Sequence, residues 1–181
     1  MKRVLVAAIT IALLAAPVGA RGKKFVRLAE DPTLDAPPGL DLTYLDVGRT
    51  GKNLEIRIGI EGMFPPGGGY PELPGIEWIF ETKGRTLVAE AVATASEPLF
   101  FLFELTEGGG FEQLATLEGT YDWTAGYTSI LVPLKTIGAR SGTRISGLGP
   151  KGTDDVDAHV HAIAADLYPD YMASTKDFIV P

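Results

Sequence analysis

The chain has 181 residues, with 16 Lys and Arg against 23 Asp and Glu, a formal charge of −7 and no cysteine. An acidic surface repels phosphate backbones and anionic headgroups, which argues against nucleic acid and membrane surfaces as partners. Without thiols there are no disulfides, no thiolate zinc sites, no thiol catalysis and no iron–sulfur cluster, so stability must come from apolar burial, with or without a bound ion.

Residues 1–20 read as a secretory signal peptide. Met1-Lys2-Arg3 is a basic start, Val4 to Leu14 is apolar except for Thr10, and Val18-Gly19-Ala20 suits a signal peptidase. The apolar run is shorter than the ~20 residues that span a bilayer, so no membrane span is expected in the mature form. The leader carries Lys2 and Arg3 and no acid, so its removal deepens the negative charge. Residues 21–38 read as an N-terminal lead-in. A basic Arg21-Gly22-Lys23-Lys24 is followed by Asp31-Pro32-Thr33-Leu34-Asp35-Ala36-Pro37-Pro38, where prolines fix φ and Asp side chains bond nearby amides. Residues 39–181 are expected to form a single domain.

Leu40 to Val47 is the first expected core strand. Its apolar phase changes between Tyr44 and Leu45, which points to a bulge there or to cover on both faces. Thr50-Gly51-Lys52-Asn53 turns the chain into the most regular stretch, Leu54-Glu55-Ile56-Arg57-Ile58-Gly59-Ile60-Glu61. Even positions are aliphatic and odd ones are charged or Gly, so a strand there has one dry and one wet face. Phe64 to Pro74 is too rich in Pro and Gly to continue a ladder and reads as a long loop. Ile76, Trp78 and Phe80 share the next dry face, which predicts a buried Trp78. Lys83-Gly84 turns into Thr86 to Ala93, and Leu99 to Leu105 is a nearly continuous apolar strand. Phe111 to Asp122 and Tyr127 to Leu134 flank the hairpin Trp123-Thr124-Ala125-Gly126. Pro133 places the second of these at an edge or ends it, and Leu134 to Ala139 fits one helical turn closed by Gly138. Arg144 to Leu148 and His159 to Leu167 are further strands, and Tyr168 to Lys176 is turn-rich. About eight to ten short strands joined by turns, with no long helix, predict an all-β fold: an antiparallel two-sheet β-sandwich, jelly-roll-like.

Three pieces of the chain resemble secreted bacterial β-sandwich domains of the DOMON-like and family 9 carbohydrate-binding-module kinds. They are Asp31 to Pro37 followed by Leu40-Asp41-Leu42-Thr43, the Ile76-Glu77-Trp78-Ile79-Phe80 strand, and Gly119-Thr120-Tyr121-Asp122 through its hairpin to Ile130-Leu131-Val132-Pro133-Leu134. The resemblance spans most of the mature chain and rests on structural motifs. It implies a sandwich that binds something, usually sugar and sometimes haem.

Sugar-binding relatives clamp a ring between exposed aromatics. The candidates here are Trp123 in its turn, with Tyr121 and Tyr127 beside it. Haem-binding relatives use Met and His as axial ligands, for which this chain offers Met63 and His161. His159 and His161 alternate on one strand and also suit a metal. Asp31 and Asp35, and Asp154, Asp155 and Asp157, are candidate calcium ligands, although neither group matches an EF-hand loop. No Gly-x-Ser-x-Gly, His-Glu-x-x-His or phosphate-loop motif is present. The expectation is a non-catalytic module, secreted or in the cell envelope, that binds extracellular glycan or a cell-surface protein. The competing readings are a haem or metal carrier and an envelope structural domain stapled by calcium.

Overall fold

In the computed structural model, residues 24–31, 36, 41–63, 75–94, 97–146, 159–164, 167–173 and 176–181 are described. The fold is all-β, with two antiparallel sheets and no helix among these residues. Eleven strands have five residues or more: β1 (Phe25–Glu30), β2 (Asp41–Thr50), β3 (Asn53–Glu61), β4 (Gly75–Thr82), β5 (Arg85–Val92), β6 (Leu99–Leu105), β7 (Phe111–Thr116), β8 (Glu118–Asp122), β9 (Tyr127–Pro133), β11 (His159–Ala164) and β12 (Leu167–Ala173). Two short ones, β10 (Arg144–Ser146) and β13 (Asp177–Ile179), pair with each other.

One sheet runs β1-β2-β3-β9-β8. The other runs β12-β11-β4-β5-β6-β7, with β10 joined to β4. The chain builds a meander in the first sheet, crosses to build β4 to β7 in the second, and returns to lay the β8–β9 hairpin beside β3. Phe111 to Asp122, one continuous stretch by sequence, is divided between sheets. The change occurs at Leu117, whose N–H donates to the Phe100 carbonyl at 2.8 Å.

The dry face of β3 is as expected: Leu54, Ile56 and Ile58 have no exposed surface and Ile60 is 3% exposed. They meet Ile76, Trp78, Phe80, Leu87, Ala89, Ala91 and Leu102 from the opposite sheet in one core. Trp78 is fully buried and stacks on Phe80 at 4.5 Å between ring centroids. Two sheets closed over their apolar faces, each facing the other, account for the alternation along these strands.

Turn chemistry sets the registers. Gly51, at φ +60°, opens the two-residue β2–β3 turn, and the β4–β5 turn places both Lys83 (φ +52°) and Gly84 (φ +74°) in the left-handed region. These are the primed turns whose twist matches paired strands. The β2 bulge falls at Thr43, between Leu42↔Ile60 and Tyr44↔Gly59, one residue before the expected place. The turn after β9 closes as the sequence predicts: Ala139 N–H donates to Leu134 O at 2.8 Å and Gly138 N–H to Lys135 O at 3.1 Å, with Gly138 at φ +65°. Pro133 ends β9, which is an interior strand paired on both sides.

The stretch 21–38 contains a full strand, β1, which pairs with β2. Its register shift between Arg27 and Ala29 brings Leu28 and Ala29 both into the core and hides the alternation from a sequence reading. The turn-rich stretch from Tyr168 also contains strand: β12 runs through Pro169. Among the described residues β12 pairs only with β11, and an outer strand is where proline is tolerated.

Candidate functional site

The outer face of the five-stranded sheet is where the structure departs most from the sequence reading. Register puts Glu55 beside Gly48 and Leu131, Arg57 beside Asp46 and Ser129, and Gly59 beside Tyr44 and Tyr127. Phe25 and Arg27 of β1 continue two of these rows, opposite Gly48 and Asp46. Thr120 and Asp122 of β8 close the other side, opposite Ser129 and Tyr127.

The two interior glycines make room for rings. A Cβ on residue 48 would lie 3.0 Å from the Phe25 ring, and one on residue 59 would overlap Tyr44. A strand glycine commonly marks a close approach of this kind. Cations lie on the rings. The Arg27 guanidinium sits 4.2 Å from the Tyr44 centroid, and Arg57 sits 4.0 Å from Phe25 and 5.2 Å from Tyr127. Each contact of this kind contributes about 0.5–1 kcal/mol where water reaches it.

Carboxylates hold the cations in place. Arg27 grips Asp46 with two bonds, Nε to Oδ1 at 2.5 Å and Nη2 to Oδ2 at 3.1 Å, and reaches Glu30 with Nη1 at 2.8 Å. The hydrogen bond to Asp46, followed by the charges of Asp46 and Glu30, holds the Arg27 pKa above its ordinary value despite partial burial. Burial pushes the Tyr44 phenol upward as well. Glu55 is 3% exposed although it points away from the core. Its Oε1 accepts from Arg57 Nε at 3.0 Å and Nη2 at 2.7 Å and from Ser129 Oγ at 3.5 Å, while Thr50 Oγ1 donates to Oε2. Arg57 Nη1 has no partner among the described residues. The expected wet face therefore contains a part-buried charged network in which Glu55 alone is nearly sealed from water.

Trp123 is 40% exposed in the turn that leaves this face, which Asp122 fixes by accepting from the Ala125 N–H at 2.9 Å. Tyr127 is half-buried on the outer face beneath Arg57. Tyr121 takes the opposite phase. Its ring tilts against Phe100 at 6.1 Å, its hydroxyl donates to Ala91 O at 3.3 Å, and burial drives its pKa far upward, with Glu90 adding to the shift. The structure thus puts Tyr127 on the outer face, leaves Trp123 exposed in the turn beyond it, and turns Tyr121 inward.

Met63 packs against the core at the end of β3. In the other sheet, His161 pairs with Glu77 and Tyr171, and His159 with Ala173. The Asp31 N–H donates to Thr43 O at 3.0 Å. Asp35, Asp154, Asp155 and Asp157 lie outside the described residues. Among the described residues no three His, Cys, Asp or Glu side chains are grouped to hold an ion.

Sequence reasoning missed Phe25, Arg27, Tyr44, Asp46, Glu55 and Arg57. The available signal was Gly48 and Gly59 interrupting two otherwise bulky strands. No family model, curated protein or solved structure matches this chain.

Proposed function

We propose that this domain is an exported, non-catalytic binding module that takes carbohydrate on the outer face of the five-stranded sheet, with Trp123 as the stacking platform. The observation that carries this reading is Arg57. Its guanidinium is fixed between two rings and a buried carboxylate, yet it keeps Nη1 without a partner among the described residues. A solvated surface needs no such device, since exposed ion pairs contribute little to stability. A binding face does, because groups fixed in advance lose less entropy when a ligand arrives. Sugars present hydroxyls that both donate and accept, together with apolar C–H faces. Arg57 Nη1 supplies a donor, Asp46 and Asp122 supply acceptors, and Trp123 supplies a ring at the rim.

The test is a glycan array with and without calcium, followed by affinity electrophoresis on any hit. Wild type is expected to bind, and W123A and R57K to lose at least tenfold in affinity while W123A keeps its circular dichroism and thermal midpoint. An array blank under both conditions, or full binding by both variants, would refute the proposal.

A further inference from the structure

A second surface lies at the other end of β9, beyond Pro133, away from the hairpin that carries Trp123. There the β4–β5 turn and residues 140–144 line an open surface cleft of about 370 Å³, formed by Lys83, Arg140, Ser141, Gly142, Thr143 and Arg144. Three cations and two hydroxyls gather here on a chain with a net charge of −7. Arg144 Nη2 pairs with Asp177 at 2.7 Å. Among the described residues no carboxylate pairs with Lys83 or Arg140.

The cleft is rigidly framed. Thr143 N–H donates to Arg140 O at 2.9 Å, Arg140 N–H donates to Thr143 Oγ1 at 2.9 Å, and Gly142, at φ +81°, donates to Val180 O at 2.8 Å. Lys83 is the second, independent observation. It is the one non-glycine with positive φ among the described residues, and it occupies the first position of a turn that Asn, Asp or Gly would form with less strain. Strain that persists at one position commonly serves a function. The turn puts Lys83 in the lining of the cleft, with its Nζ beside the Gly138 backbone, 3.7 Å from where a Cβ there would sit.

We infer that this cleft binds an oxyanion, a phosphate or sulfate group, either free or as an ester on a sugar. Lys83 and Arg140 supply the unneutralised charge, Arg144 is shared with Asp177, and the Ser141 and Thr143 hydroxyls add short-range donors. Arginine suits the planar oxygen pairs of such groups, and lysine acts as a point charge.

The test is an amide chemical-shift titration of the full chain with sodium sulfate and sodium phosphate, against sodium chloride at matched ionic strength. Saturating shifts are expected at Lys83, Gly84 and residues 140–144. In K83N the two readouts should move in opposite directions: the thermal midpoint rises as the turn relaxes, and sulfate affinity falls several-fold. R140Q should lose affinity at an unchanged midpoint. Glucose 6-sulfate binding more tightly than inorganic sulfate would assign an esterified ligand, and equal or weaker binding a free one. Chloride reproducing the shifts, or both variants binding sulfate as wild type does, would overturn the inference.

Discussion

Glu55 and Arg57 form an unequal pair, and that inequality predicts which partner can be lost more cheaply. The Glu55 side chain is 4% exposed and the Arg57 side chain 28%. In R57A, Glu55 stays buried and loses the Arg57 guanidinium, while the Thr50 and Ser129 hydroxyls remain among its donors. Removing one partner of a buried pair costs about 3–5 kcal/mol because the other charge is left uncompensated. The hydroxyls that remain place R57A near the lower end, about 3 kcal/mol, to which the lost contact with the Phe25 ring adds about 0.5–1 kcal/mol. In E55A, Arg57 can turn its guanidinium to water, and the loss is that of hydrogen bonds to a charged group, about 1.5–3 kcal/mol. The double variant R57A/E55Q carries no buried charge and should recover part of the R57A loss. Urea unfolding at neutral pH measures all three, and R57A should also lower the thermal midpoint by roughly 2–4 °C per kcal/mol. If E55A costs more than R57A, or E55Q fails to improve R57A, Glu55 is not the buried member and the account of this face is wrong.

Gly59→Ala should cost about 1–3 kcal/mol, because the new methyl overlaps Tyr44 and Thr43. Gly108→Ala, with nothing within 4 Å and no positive φ, should be neutral or slightly stabilising by the same urea assay. Trp78→Phe should cost much less than Trp78→Ala, for which about 3–5 kcal/mol is expected. Phe can keep the stack on Phe80 and removes an indole N–H that is buried without a hydrogen-bond partner among the described residues, as calorimetry of the two variants would register. Burial, with the neighbouring Glu77 second, raises the Glu90 pKa, so the ionised form weakens the fold as pH rises through that pKa. Glu90→Gln should therefore be more stable than wild type at neutral pH, with the gap closing as pH falls through the carboxylate range. Glu104 behaves oppositely, since its hydrogen bonds to Arg85 hold its pKa down. Glu104→Gln should be less stable at neutral pH and converge with wild type in acid, and thermal midpoints across pH should separate the two trends.

What could be read from the sequence was whatever one strand decides alone. Leu54 to Ile60 state their dry face by alternation, and Gly51, Lys83-Gly84 and Gly138 mark turns through backbone freedom that needs no distant partner. The fold class followed from these. What could not be read depends on neighbours remote in sequence. Glu55 meets Ser129 from β9, 74 residues away, and Arg57 lies on Phe25 from β1. No periodicity encodes those meetings. The inward turn of Tyr121 was hidden for a related reason. The chain changes sheet at Leu117, so the phase of β8 does not follow from that of β7. At β6 the nearly continuous apolar run gives no phase by itself: Phe100 and Leu102 are buried, whereas Phe101 and Phe103 are half-buried.

The late arrival of β9 beside β3 has a consequence for biogenesis. As the polypeptide emerges, β3 can zip to β2 at once, yet its second neighbour is synthesised only after the whole of β4 to β7. Until then nine residues of strongly β-forming chain present bare amides and carbonyls along one side, which is a template for self-association. Any fragment that stops before residue 127 would keep that side open indefinitely and should aggregate. A permuted chain that starts at β8 would offer β3 its partner from the outset and should fold more cleanly.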